Sequence, residues 1–597
     1  MRLLKILKIV YSIQTVLFLI IVAVFITSLG FGNGIVSDKY FWFYFLMGLI
    51  TFLSFCIIII KRTEIQFTII DVLIIIFAFA IILHQSDEVT TKHILFILIV
   101  ILFYYLRVAF QDNKHIKYLL TVCFIMTVLV ESILGLIQLS GFIQSIYSLF
   151  RITGSFFNPG PYSCYLAVIF PMAFYYTLKY RICYKVRFHF RNFPVYLLWS
   201  ISMLTVVFSV IILPLAMSRT AWIACIGGCG LVLLFVFAKN KKVKIFVIQN
   251  CKKCILAAII TVLLFIAGGF GMYKLKKDSA DGRTFIWKNT IELIKQNPLG
   301  VGIGNFSGSY GHVQAAYFES GKGTENEKRV AGNPEYAFNE YLQICAEQGV
   351  IVFMLFMCIV GYSLYVGIKR KKIAATSSFI ALLIVASASY PFSLLPFLIA
   401  LVFLLALIHS DEKSIAIQKS VSVSLAFVGL VIVSLCLYNR YPIYYAYKKW
   451  DKVKMLYVYG NNKEAAKGYD EIYPLLSGQV QFLFEYAQCL IKSEQYEESN
   501  KVLEKAIKIS CDPMLYNIMG KNYQAMKLYV EAERCFMKSS NIVPNRIYPY
   551  YLMTLMYVDA GETEKAKTMA EVVLTKEPKV QSTAVREMRN EVKNLLE

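Results

Sequence analysis

A chain of 597 residues that is 58% apolar and only 17% charged, with a mean hydropathy of +0.59, cannot be one soluble core, because apolar runs of about 20 residues recur along it. The net charge of +23 lies in short segments between those runs, while residues 439–597 are nearly balanced in charge, so it reads as a topology signal and not as a nucleic-acid surface. Fourteen Cys residues are scattered without a framework, which argues against a disulfide-built module.

From the N-terminus, MRLLKILKIV leads into an apolar stretch that reaches Thr27 without a small-residue cleavage site, so it reads as a retained anchor. About thirteen spans are expected, centred near residues 20, 50, 75, 101, 128, 169, 205, 229, 263, 359, 382, 401 and 429. Tyr390-Pro391 and Pro396 interrupt one apolar block, which reads as a hairpin; as a single span it lowers the count to twelve. Cys251 and Cys254 form a CxxC that reads as two small apolar residues opening a span. The Lys- and Arg-rich segments, among them residues 179–191, 239–253 and 369–372, fall on one side if the N-terminus is cytoplasmic.

Two regions break the membrane pattern. Residues 274–348 form an extracytoplasmic loop too long to be a simple connection. In it GRTFIWKNTIELIKQNPLG carries Phe285, Ile286, Thr290, Ile291, Leu293 and Ile294 at helical spacing, stopped by Asn297-Pro298. GVGIGNF then supplies a glycine turn, and a second helix is expected from near Tyr336 into the next span. The other break is residues 439–597, polar and helix-rich. Tyr516, Gly520, Tyr523, Ala532, Phe536 and Pro544 follow the tetratricopeptide pattern, which recurs about 34 residues later at Tyr550, Tyr557, Gly561, Ala566 and Pro578. Looser copies surround Tyr469 and Tyr486. The expected fold class is all-α: a polytopic membrane helix bundle over 1–438 and a tetratricopeptide α-solenoid over 439–597, on the same side as the large loop.

Polar residues gather at that face. RITGSFFNPGPYS places Arg151 and Asn158 before the sixth span, AMSRTAW places Arg219 in a minimal turn, Arg283 opens the loop's first helix, and Asn339 with Glu340 heads its second. Arginine keeps its charge when half-buried and matches phosphate oxygens bidentately, so three arginines on a face that otherwise avoids positive charge point to an anionic ligand. Each has an ordinary alternative: Arg219 snorkelling, Arg151 as an interfacial anchor, Arg283 paired with Asp281 or Glu292.

The sequences RITGSFFNP, SRTAW, GRTFIWKNTIELIKQNPLGVGIGNF and NEYLQICAEQGVIVF resemble the O-antigen ligase family, which includes O-antigen polymerases and protein O-oligosaccharyltransferases. The resemblance covers most of residues 120–410. It implies an enzyme of the bacterial inner membrane that moves a glycan from an undecaprenyl diphosphate carrier to a lipid A core sugar, another glycan unit or a protein hydroxyl, without a metal or nucleotide cofactor. It assigns the diphosphate to Arg219 and Arg283, with Arg151 as a further candidate. Where the family carries a His before the motif's Asn, this chain has Phe338, which accepts no proton. His312 in the large loop, Glu340 and Glu347 are the substitute candidates, against ordinary roles in solvation, helix-dipole stabilisation and capping. Asn339 is expected to bond a sugar or cap its helix, and Trp287 to contact sugar or pack the arginine. Asn158, Tyr336 and Phe338 complete the candidate substrate contacts. Membrane lipid is an expected partner, and the C-terminal repeats would hold an acceptor or an assembly protein. The reading from another class is a non-enzymatic membrane scaffold.

Overall fold

The computed structural model describes residues 2–23, 35–61, 66–83, 91–145, 147, 149–180, 192–239, 249–250, 277–412 and 415–596. The expected span near 263 and the CxxC lie outside these residues. The remaining candidate spans all fall on helices. Eight precede the large loop: α1 (Arg2–Ala23), α2 (Ile35–Lys61), α3 (Ile69–Leu83), α4 (Thr91–Asp112), α5 (Lys114–Leu139), α6 (Pro159–Lys179), α7 (Phe193–Leu215) and α8 (Arg219–Lys239). The loop holds α9 (Lys277–Gln296), α10 (Phe306–Glu319) and α11 (Glu325–Val330). The chain then re-enters the bundle through α12 (Glu340–Lys369), α13 (Ile373–Ala386), α14 (Leu395–Ile408) and α15 (Lys419–Leu437).

Among the described residues, seven helical stretches are long and apolar enough to cross a membrane, and four shorter apolar helices accompany them. The block around residue 390 is a hairpin of two 14-residue helices, α13 and α14, separated by a 3-10 turn at Pro391–Ser393. Fourteen residues rise about 21 Å, short of a hydrocarbon core of about 30 Å. Both helices are nearly enclosed by protein, which makes an interrupted segment tolerable at that depth. At their centre, α6, α8 and α13 cross closely: a Cβ on Gly228 would stand 2.4 Å from Pro171 Cγ and 2.8 Å from the Ser377 carbonyl oxygen. Small residues allow this approach where lipid offers no hydrophobic drive to pack. A two-residue antiparallel pairing of β1 (Gln66–Phe67) with β2 (Ile415–Ala416) lies away from the loop.

The large loop is ordered, and its glycines explain how. Helix α9 ends at Gln296, as Asn297-Pro298 predicts. The following turn then seats against α12 where that helix breaks at Gly349, whose φ of 83° and ψ of 170° only glycine adopts without strain. Val301 N–H donates to Ala346 O (2.9 Å), Gly302 N–H to Glu347 O (2.8 Å), and Val350 N–H to Pro298 O (3.0 Å). A Cβ on Gly349 would lie 2.4 Å from Leu299 O, and one on Gly300 2.6 Å from Glu347 O. Leu293, Phe306, Tyr310, Ala337 and Ala346 close a small core around this contact.

Beyond α15 come α16 (Arg440–Val458), α17 (Asn462–Leu476), α18 (Val480–Lys492), α19 (Tyr496–Ile509), α20 (Pro513–Ala525), α21 (Tyr529–Ile542), α22 (Tyr548–Asp559), α23 (Thr563–Thr575) and α24 (Thr583–Leu596), with α16 to α23 packed as successive pairs. Gly520 on α20 receives Phe536 of α21, whose ring would stand 2.4 Å from an added Cβ. These helices are seated on the loop. Gly308 and Gly311 on α10 bring it against the α19–α20 connection, where a Cβ on Gly308 would meet Lys508 O at 2.2 Å and one on Gly311 would meet Cys511 Cβ at 2.5 Å. Cys511 N–H donates to Ser307 Oγ (3.2 Å), and Asn545 Nδ2 donates to Lys328 O (3.1 Å) and Arg329 O (3.0 Å).

Gly349→Ala is expected to destabilise the protein by about 1–3 kcal/mol through backbone strain alone, read as a lower thermal unfolding midpoint in detergent; an unchanged midpoint contradicts the turn-to-helix contact as described. Gly308→Ala is expected to loosen the C-terminal helices from α10, so that limited proteolysis removes them faster than from the parent while the membrane helices stay protected.

Candidate functional site

The motif RITGSFFNP is bolted to α5. Gln138 Oε1 accepts from Thr153 N–H (2.9 Å) and Gly154 N–H (2.8 Å), and the buried Glu131 carboxyl accepts from Ser155 N–H (3.0 Å) and from Ser155 Oγ. Asn158 then caps α6, its Oδ1 accepting from Gly160 N–H at 2.8 Å. Arg151 is exposed and donates to Leu139 O (3.3 Å) at the end of α5. Both side chains therefore make local contacts that shape the entry to α6. That helix carries the buried Cys164, which hydrogen-bonds Ser218 at the head of α8.

The SRTAW turn is equally fixed. Met217 adopts φ 48°, and Trp222 locks the turn by donating from Nε1 to Leu213 O at 2.9 Å. Arg219 is thereby the first residue of α8, the end at which the helix dipole is positive. A cation there is disfavoured by the dipole, whereas an anion at such a terminus meets both the free N–H groups and the arginine.

Arg283, from the first turns of α9, joins Arg219. Arg219, Cys164 and Tyr390 all lie within its electrostatic reach, and burial followed by the neighbouring Arg219 charge lowers its pKa. The sequence alternatives of Asp281 and Glu292 as its partners are not formed. Instead its NH1 donates to Ala388 O (2.8 Å), in the turn of the α13–α14 hairpin, and its guanidinium lies over the Phe338 ring, 5.5 Å from the centroid. Asp281 accepts from Asn326, and Glu292 from Gln296. Among the described residues no carboxylate pairs with Arg283, so this half-buried place suits an anionic ligand.

The turn before α12 holds Phe338 in place. The helix starts at Glu340, later than the expected Tyr336, because Phe338 takes a left-handed φ of 52°. Three contacts pin this conformation. Trp287 Nε1 donates to Ala337 O (3.0 Å), Ala337 N–H donates to Gln343 Oε1 (2.7 Å), and the Phe338 ring meets Tyr390 edge-on at 5.5 Å. Tyr336 stacks on the other side of this assembly, its ring 4.7 Å from Tyr390 and nearly parallel. Trp287 is thus a positioning residue, its one polar atom spent on the turn that holds Phe338 beneath Arg283.

Asn339 is the N-cap of α12, with Oδ1 accepting from Tyr341 N–H (3.0 Å) and Leu342 N–H (3.3 Å). Glu340 is buried and its Oε1 accepts from Phe392 N–H (2.6 Å), tying α12 to the hairpin turn, with Glu347 and Lys92 as charged neighbours. Glu347 accepts from Gln343 Nε2 (2.9 Å). His312 lies on α10 beside Lys538 of α21, and partial desolvation with that ammonium lowers its pKa below the ordinary imidazole value.

The structure thus brings Arg219, Arg283, Trp287, Tyr336 and Phe338 together, and adds Cys164, Ala388 and Tyr390, which sequence reasoning missed. Tyr390-Pro391 had been visible only as an interruption of an apolar run. A tyrosine and a proline breaking an otherwise unbroken block were the available signal. No curated protein matches the chain. Residues 204–357, which hold both arginines, the glycine turn and the Phe338 turn, match the family described as O-antigen ligase, and this match supports a membrane glycosyltransferase of the O-antigen ligase or polymerase type.

Proposed function

We propose that this protein transfers a glycan from an undecaprenyl diphosphate carrier to an acceptor at the outer leaflet of the bacterial inner membrane, with a cytoplasmic N-terminus and both the large loop and the C-terminal helices outside. The observation that carries this reading is the convergence of Arg219 and Arg283, from helices far apart in sequence, on one half-buried site at the end of the bundle. In the reaction an acceptor hydroxyl attacks the sugar C1, the C1–O bond to phosphate breaks, and the carrier diphosphate leaves with the bonding electrons. Two arginines held in advance where that charge develops stabilise it in a low-dielectric setting.

Phe338 takes no part in proton transfer, but its ring face holds the Arg283 guanidinium and so orients it. In an oxocarbenium-like transition state, in which C1–O cleavage runs ahead, the hydroxyl proton departs late, to a phosphate oxygen of the leaving diphosphate. Leaving-group stabilisation then carries the rate, in keeping with a turn that has lost its imidazole. We read α16 to α23 as tetratricopeptide repeats of a separate C-terminal unit, 439–597, that hold the acceptor or a partner protein. Ligase and polymerase share this chemistry and differ in acceptor: a lipid A core sugar for the first, a growing glycan for the second. Loss of a ligase leaves carrier-linked polymer, and loss of a polymerase leaves single units attached.

Arg283→Ala and Arg219→Ala are each expected to reduce transfer about 10²- to 10³-fold, with membrane insertion unchanged. Arg283→Lys is expected to restore little, since an ammonium does not stack on Phe338 and bond Ala388 O and phosphate with one planar group. Normal transfer by both alanine variants, measured on membranes supplied with carrier-linked glycan, sinks the assignment.

A further inference from the structure

A cleft of about 1670 Å³ lies between the loop helices and the C-terminal helix pairs. It exceeds the range of about 300–1,000 Å³ in which small-molecule sites fall, so its size suits a chain of linked units. One end is walled by Tyr336, the residue stacked on Tyr390 beside Phe338 and Arg283. The cleft and the arginine site thus share Tyr336 as a neighbour. The cleft walls also include Asn305 at the head of α10, Tyr447 of α16, and Tyr473 and Gln481 on either side of the α17–α18 turn.

We infer that this cleft binds the acceptor as an extended saccharide chain, leading its terminal hydroxyl toward Arg219 and Arg283. The inference rests on the transferase reading above and names the acceptor class. The walls contain both tyrosines and amide side chains, the combination a sugar polymer uses: its C–H faces lie on aromatic rings, and its hydroxyls both donate to and accept from amides. The lining charge is mixed, with Lys454 and Glu485 neutralising each other at 2.8 Å, so the cleft is not built for a polyanion. A peptide is less well served. Strand addition needs an open sheet edge, and the walls are helices and the turns between them; an amphipathic helix needs an unbroken apolar groove, and this one is broken by charged and amide groups.

The test uses the full chain in detergent and, as probe, the expressing cell's own surface polysaccharide, released from lipid by mild acid, sized into fractions and fluorescently labelled. Binding is expected to strengthen with chain length. Tyr473→Ala and the exposed Gln481→Ala are each expected to weaken binding of the longer fractions about tenfold and to raise the acceptor KM while kcat and the unfolding midpoint hold. Arg283→Ala is expected to bind the saccharide normally while losing transfer. Failure of the parent to bind any fraction, length-independent binding, or unchanged binding in both cleft variants overturns the inference. Tighter binding of a Ser/Thr-rich peptide pool that displaces the saccharide also overturns it, in favour of a protein acceptor. If the cleft variants behave as the parent and Arg283→Ala still abolishes transfer, the transferase reading stands without the cleft. If Arg283→Ala transfers normally, the transferase site fails while saccharide binding is judged separately.

Discussion

Everything at the loop end of the bundle depends on one backbone contact, the seating of the glycine turn at residues 300–302 into the break in α12 at Gly349. Three main-chain hydrogen bonds join segments some fifty residues apart, and they form only because neither Gly300 nor Gly349 carries a Cβ. This contact fixes α9 relative to α12. Together with the Trp287–Ala337 bond it sets Arg283 against Phe338, and it gives the loop a footing on which α10 and the C-terminal helices rest. The glycines read in sequence as a turn are where the loop joins α12.

A second constraint is electrostatic. Arg219 is the first residue of a helix, and Arg283 is half-buried within reach of its charge. The surrounding structure holds both in place: Trp222 locks the first turn, Trp287 the second, and the left-handed Phe338 is pinned from three sides. Strain of this kind persists where the surroundings over-determine it, and it concentrates at sites that act on ligands.

The C-terminal helices share in this architecture through α10. Ser307 and Gln314 each bond residues of both the loop and the C-terminal region, so the loop is a structural intermediary between the bundle and the helix pairs. The cleft between them is lined in part by Tyr336, which stacks on Tyr390. Position in the chain gave little warning of this, since Gly308 and Gly311 look like ordinary helix residues until the backbone of Lys508 is placed against them.

The sequence by itself determined the apolar helices, the ordered loop with its stop at Asn297-Pro298, the polar helical C-terminus and the two arginines, because these follow from local properties: run length, periodicity, helix-stop residues and charge. Only the tertiary structure decided which polar residues meet. Asn158 and Asn339 spend their side chains capping helices, Arg151 bonds the end of α5, and Glu340 holds the hairpin turn. Ala388, Tyr390 and Cys164 enter the site from elements whose sequence signals were merely apolar. The physical reason is that a side chain's partners are set by close approaches between distant segments, here permitted by glycines at 228, 300, 308 and 349, and such permission shows in the sequence only as the absence of a side chain.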